Sequence, residues 1–268
     1  MKVTINHEYI NEIPVLHVFE QSKENTCLPF ILFIHGYTSA KEHNLHYAYL
    51  LAEKGFRVVL PDAQYHGERS QAISIKDLQF KFWDIVLHTI GEINTIKEHF
   101  VKREIVDEER IGVVGTSMGG IITLGALTQY SWIKAAVSLM GCPSYQKFVN
   151  TQVEYFKREG VSIPFNEEQL KEQLNRLQNC DLSLQKEKLA NRPLLFWHGK
   201  KDSIVPFAPT FQFYEEIKSL YTENPELLHF EVDEHAGHKV SRKGVLLTVD
   251  WFEKHLQQKI RNTVHSSL

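Results

Sequence analysis

The sequence predicts an α/β protein: a mostly parallel, doubly wound sheet with helices on both faces and a small helical insertion. Three observations carry that expectation. Short apolar runs such as FILFIHG (30–36) and IGVVG (111–115) show no alternation, as strands buried on both faces of a parallel sheet require. Segments with apolar residues at helical spacing separate these runs in regular order. The 268 residues, 43% hydrophobic and 24% charged, are ordinary globular usage and suffice for a sizeable core in one domain spanning 1–268.

The elements follow in chain order. Val3 to Tyr9 and Val15 to Phe19 alternate and read as two antiparallel strands at one sheet edge, with Pro14 near the turn. FILFIHG gives the first buried strand, a helix runs from about His43 to Lys54 with Gly55 at its C-cap, and FRVVLPD (56–62) gives the next strand. Asp77 is expected to cap a long helix whose face is Leu78, Phe82, Ile85, Ile93, Ile96 and Phe100. Strand IGVVG, a helix from about Met118 to Tyr130, and strand IKAAVSLM (133–140) come next. The alternation closes with strand PLLFWHG (193–199), a helix from Ala208 to Leu220, strand LLHFEVD (227–233) and a helix from Val240 to Leu256. Between Pro143 and about Ala190 there is no strand signal. Asn166 with Gln169 resembles a capping box, and Leu170, Leu174 and Leu177 form a stripe, so 143–190 reads as a helical insertion. The final NTVHSSL reads as a frayed tail.

Composition narrows the function. A net charge of −3 without a basic block argues against nucleic acid, and the absence of an apolar leader or an 18-residue apolar stretch predicts a cytoplasmic protein with no membrane span. Cys27, Cys142 and Cys180 are odd in number and scattered, which fits reduced thiols, with Cys142 a small buried residue. His43 and His46 share a helical face without a carboxylate at metal spacing. HExxH, Walker A and strand-following GxGxxG patterns are missing, so no metal and no cofactor is expected, and the partner is a small molecule. No feature specifies an oligomeric state.

The chemistry is expected at Gly115-Thr116-Ser117-Met118-Gly119. This G-x-S-x-G lies between a buried strand and a helix, the setting of a nucleophile elbow, where flanking glycines let a strained serine stand above the C-terminal edge of the sheet. A serine hydroxyl needs a base, and the base a carboxylate. Asp202 follows one later strand and His238 lies past the last, in the order Ser, Asp, His. His235 and Asp233 are alternatives in the same loop; Gly237 allows a tight turn before His238, and Asp233 leaves little loop to reach the imidazole. His198 is expected to brace the acid loop. The oxyanion that attack generates needs backbone N–H donors, expected from Met118 and from Tyr37 in HGYTS (35–39), with His35 and Gly36 shaping the turn. HGER (66–69) reads as a structural loop in which Arg69 forms an ion pair.

FIHGYTSAKE, LPDAQYHGERS, GTSMGG, WHGKKDSIVP and AGHKV together resemble the bacterial α/β-hydrolase esterases of the prolyl-oligopeptidase-like group, of the small YitV/YjfP type. The resemblance runs from about residue 28 to 257. It implies an α/β-hydrolase fold and carboxylic-ester hydrolysis, with Ser117 as nucleophile, Asp202 as acid, His238 as base, and Tyr37 and Met118 as oxyanion donors. Dienelactone hydrolases share the architecture but carry cysteine at the elbow, and propeller-bearing peptidases need a longer chain. The insertion 143–190 falls where such folds carry a lid, and its Tyr145, Phe148, Tyr155 and Phe156 could wall an acyl pocket or simply pack. The expected function is a serine carboxylesterase acting through an acyl-enzyme. A serine exopeptidase or amidase, and a catalytically idle binding module of the same fold, are the alternatives.

Overall fold

In the computed structural model, which describes residues 1–257, the chain opens with a hairpin of β1 (Val3–Ile10) and β2 (Ile13–Glu20). The expected frayed tail lies outside the described residues. β2 pairs antiparallel with β1 on one edge and with β4 (Arg57–Pro61) on the other, and it is buried almost throughout rather than alternating because Ile13 and Val15 enter one core and Leu16 and Val18 the other. From there the sheet is parallel: β3 (Leu28–Ile34), β5 (Val106–Thr116), β6 (Ala135–Leu139), β7 (Leu194–Gly199) and β8 (Leu228–Asp233), in the order β1-β2-β4-β3-β5-β6-β7-β8.

Helices cover both faces, as the sequence predicts. On one side α1 (Leu45–Glu53) and α8 (Arg242–Leu256) bury Leu51, Val249 and Phe252 against Ile31, Phe33, Val114 and Val137. On the other, α3 (Phe82–Lys102), α4 (Met118–Gln129) and α7 (Phe207–Ile217) bury Ile93, Phe100, Ile122 and Phe213 against Phe30, Leu32, Val113 and Phe196. Consecutive positions of each parallel strand thus serve opposite cores, which is why the runs read as continuously apolar.

A further expectation needs correction. Asp77 does not cap a long helix: Ser74 is the N-cap, its hydroxyl accepting from the Asp77 N–H at 3.0 Å, and it opens a short α2 (Ile75–Phe80). The chain then breaks at Lys81 before α3, so Phe80 and Phe82 face different neighbours: Phe80 meets Phe156 and Phe165, and Phe82 meets Tyr37. Of the two roles open to Tyr145, packing is the one it takes: it is fully buried, its hydroxyl donating to the Ile121 carbonyl at 2.6 Å.

The segment between β6 and β7 carries α5 (Tyr145–Arg158) and α6 (Glu167–Gln178). The capping box is formed as expected, with Asn166 Oδ1 accepting from the Gln169 N–H at 2.8 Å and Gln169 Oε1 accepting from the Asn166 N–H at 3.0 Å. Leu177 is buried, with Leu170 and Leu174 packed beside it. All three cysteines are free thiols, with Cys142 buried and its pKa raised to about 12 by desolvation. Among the described residues no helix is long and apolar enough to cross a membrane.

Candidate active site

Strand order fixes where a site can form. The order of connection reverses at β3, since β4 lies on one side of it and the later strands follow on the other, so a crevice forms at the C-terminal ends of the parallel pair β3 and β5. Ser117 stands at that point, between the end of β5 and the start of α4.

The local backbone explains the glycines. Ser117 has φ 54° and ψ −114°, a conformation L residues rarely hold, and its N–H is anchored on the Leu139 carbonyl at 2.8 Å. So tight a strand-to-helix turn brings Gly115 and Gly119 together: a Cβ on Gly115 would lie 2.2 Å from the Gly119 carbonyl carbon, and one on Gly119 would lie 2.0 Å from the Ile34 carbonyl oxygen. Side chains cannot be accommodated at either position.

The later strand ends bring the partners. The Ser117 hydroxyl lies 2.8 Å from His238 Nε2, and His238 Nδ1 lies 2.7 Å from Asp202 Oδ2, so the tautomer with its proton on Nδ1 donates to the carboxylate and leaves Nε2 to accept the serine O–H. Asp202 Oδ1 accepts from the N–H groups of Ile204 and Val205 at 2.9 and 3.0 Å. Burial would raise the Asp202 carboxyl, but the hydrogen bonds from His198, His238 and the Ile204 N–H outweigh it and hold the pKa well below the ordinary carboxylate range. His198 braces this loop as the sequence predicts: its Nε2–H donates to the Val205 carbonyl at 2.9 Å and lies 3.4 Å from Asp202 Oδ2.

The competing residues fall elsewhere. His235 is exposed, and Asp233 accepts from the N–H groups of His235 and Ala236, closing the turn that leads to His238. This turn rests directly on Gly199: a Cβ there would meet the Gly237 and Ala236 carbonyl oxygens at 2.4 and 2.5 Å.

The loop after β3 lies beside the elbow, with the Gly36 Cβ position 3.5 Å from Ser117 Cβ. Its Gly36 carbonyl is held twice, by His35 Nδ1–H at 2.7 Å and by the Ser39 N–H at 3.1 Å. A trans peptide directs its N–H opposite to its C=O, so pinning the carbonyl also fixes the Tyr37 N–H. Among the described residues, no backbone carbonyl receives the N–H of Tyr37, and Met118, first in α4, has no intrahelical acceptor. His35 is held neutral, lowered to about 4 by burial despite its bond to Gly36, and its Nε2 accepts the Ala63 N–H at 3.0 Å.

Sequence reasoning overlooked what stands behind this loop. Asp62, fully buried, accepts from the Lys41 N–H at 2.9 Å, Lys41 Nζ at 2.7 Å and the Glu68 N–H at 3.0 Å, tying the loop after β3 to the loop after β4. The signal was present as a charge at the end of the apolar run FRVVLPD. Arg69 makes the expected ion pair, a two-pronged one with Glu92 at 2.8 and 2.7 Å.

A cavity of about 480 Å³ opens over Ser117, walled by Phe82, Phe148, Tyr155 and Phe156 from the helices and by Ile204 and Pro206 from the Asp202 loop. Phe148, Tyr155 and Phe156 therefore take the first of the two roles left open to them, while Phe82 was expected on the packing face of a helix and the 203–206 segment was given no role. Among the described residues the cavity lining contains no Asp, Glu, Lys or Arg. No cluster of three His, Cys, Asp or Glu side chains among the described residues is arranged to hold a metal ion. A hydroxyl with a base and an oriented carboxylate, beside two free N–H groups and an apolar cavity, is equipped for acyl transfer.

Comparison with known proteins agrees with this equipment. Residues 42–259 match the model of the prolyl oligopeptidase family. The chain is 53% identical over 254 residues to YitV of Bacillus subtilis (strain 168), covering 95% of this chain and all of that protein. It is 26% identical to the esterase YjfP of Escherichia coli (strain K12), again over 95% of this chain and all of that protein. Among solved structures, TT1662 from Thermus thermophilus superposes with a TM-score of 0.74 at 21% identity, covering 96% of this chain and 99% of that one, a likeness of fold. The chain belongs to the prolyl oligopeptidase family, as an esterase-like hydrolase with the α/β-hydrolase fold.

Proposed function

We propose that the chain is a serine carboxylesterase that hydrolyses small neutral carboxylic esters in the cytoplasm, with Ser117, His238 and Asp202 as its triad. His238 takes the Ser117 proton as Oγ attacks the ester carbonyl, and the Tyr37 and Met118 N–H groups receive the oxyanion, at about 3 to 4 kcal/mol each. The protonated imidazole, paired with Asp202, gives its proton to the departing alcohol. His238 then deprotonates water, which attacks the acyl-serine, and as the acyl–Oγ bond breaks the imidazolium returns the proton to Ser117 Oγ and the acid leaves. Asp202 stays ionised, holding the Nδ1–H tautomer that leaves Nε2 free to accept. Helices α5 and α6 serve as a lid on a single domain.

The observation that carries this reading is the continuous chain of 2.8 and 2.7 Å hydrogen bonds from Ser117 through His238 to Asp202 at the floor of an apolar cavity. That the esterase YjfP is similar over 95% of this chain supports it. The lining also favours esters over the exopeptidase alternative, which needs an acidic side chain for a free α-ammonium group or a basic one for a free carboxylate. Initial rates on p-nitrophenyl butyrate and on aminoacyl p-nitroanilides test the choice. Turnover of the butyrate at least a hundredfold faster is expected, and preference for the anilides would reverse the assignment.

A further inference from the structure

Phe156 lines both the cavity over Ser117 and a second, mainly apolar chamber of about 50 Å³. The two share Gln79, Gln152 and Phe156 as a common partition. Beyond it the distal chamber is lined by Phe80, Trp83, Val153, Ile163, Phe165 and Leu170, drawn from α2, α3, α5, α6 and the connection between the last two. Phe156 is half-buried, its ring 5.5 Å from Phe80, which in turn meets Phe165 at 6.0 Å. Gln152 is fixed by the Trp83 indole, whose Nε1–H donates to Gln152 Oε1 at 2.8 Å.

We propose that the chamber behind Phe156 is a latent distal acyl subsite for saturated alkyl chains, and that Phe156 sets the chain-length ceiling by closing it off. The inference rests on the carboxylesterase reading, since the occupant is the far end of an ester's acyl group. The wall shared with the Ser117 cavity selects that occupant, and a lining that is apolar apart from Gln79, Gln152 and Gln173 selects its chemistry. A chain that grows from the acylated serine fills the first cavity and then meets Phe156. Removing the ring joins the chambers, and each further methylene buried gains about fourfold in affinity or in kcat/KM.

Two series test this. The first is kcat/KM for p-nitrophenyl esters from C2 to C12 on the wild type, Phe156→Ala, Phe156→Trp and the double variant Phe156→Ala/Leu170→Trp. The ratio of decanoate to butyrate should rise tenfold or more in Phe156→Ala, fall in Phe156→Trp, and return towards the wild type when Leu170→Trp refills the distal chamber. The second is calorimetric affinity for ethyl alkanoates in a Ser117→Ala background with and without Phe156→Ala, which reads the subsite with the chemistry switched off. A wild type that hydrolyses no ester defeats the carboxylesterase reading alone. A chain-length dependence of affinity unmoved by Phe156→Ala, or rates lowered equally for all chains, overturns the subsite.

Discussion

Gly199→Ala should disable the enzyme without touching any reacting group. The added Cβ would sit 2.4 Å from the Gly237 carbonyl oxygen and 2.5 Å from that of Ala236, in the turn just before His238. Neither oxygen can swing aside as a side chain would, because the Lys239 N–H holds the Gly237 carbonyl at 2.9 Å and the Lys201 N–H holds that of Ala236 at 3.0 Å. Ordinary contact requires the turn to retreat by about 1 Å, which lengthens the Ser117–His238 hydrogen bond beyond useful reach, and a displacement of that size costs roughly a hundredfold in rate. Steady-state kinetics on p-nitrophenyl butyrate should therefore show kcat down about a hundredfold with KM within threefold, because the acyl cavity is untouched. Circular dichroism should show the same secondary structure. A kcat within threefold of wild type would refute the claim that the position of this turn sets the base.

Three further outcomes follow from particular contacts. Ser117 holds a strained backbone, at a cost of order 1 to 3 kcal/mol that glycine escapes and alanine does not. Chemical denaturation should thus find Ser117→Gly more stable than Ser117→Ala by about 1 kcal/mol, both being inactive; equal stability would mean the turn is unstrained. His35→Phe releases the Gly36 carbonyl and with it the direction of the Tyr37 N–H, so kcat should fall about 10- to 100-fold with KM nearly unchanged, and a change in KM alone would contradict the assigned positioning role. Burial lowers His17 and His35 to about 4, against about 6.5 in the unfolded chain, so between these values the unfolded state binds protons that the folded state refuses. Stability should be full above pH 6.5 and fall as the pH drops towards 4, with a slope approaching about 3 kcal/mol per pH unit from these two groups. Denaturation midpoints that stay level from pH 7 to 4.5 would contradict that burial.

The parallel strands were legible because burial on both faces leaves an unbroken apolar run; Phe30–Ile34 and Ile111–Val114 could hardly lie anywhere but in the centre of a sheet. Ser117, Asp202 and His238 were legible for a related reason, since each sits at the C-terminal end of such a run, where the topology brings loops together. The choice of His238 over His235 followed from the tight turn that Gly237 allows just before the last helix, and the structure brings His238, not His235, onto Ser117. What the sequence concealed depends on contacts between elements distant along the chain. The sequence assigns no role to Asp62 or Lys41, yet both are fully buried, their opposite charges paired at 2.7 Å. Asp77 looked like a cap because nothing local distinguishes it from Ser74, whose hydroxyl wins the Asp77 N–H. Tyr145 and Phe148, one turn apart on α5, could not be divided between core and cavity by periodicity: Tyr145 turns to Ile121 and Phe148 to the site.

The central claim is that the hydrogen-bonded chain activates Ser117, and fluorophosphonate labelling tests it without any assumption about the substrate. Native and heat-denatured protein would be treated with the probe, and the adduct located by peptide mass spectrometry. The account predicts one adduct, on Ser117, in the native sample only. A native protein that remains unlabelled, or one labelled at another serine, would contradict it.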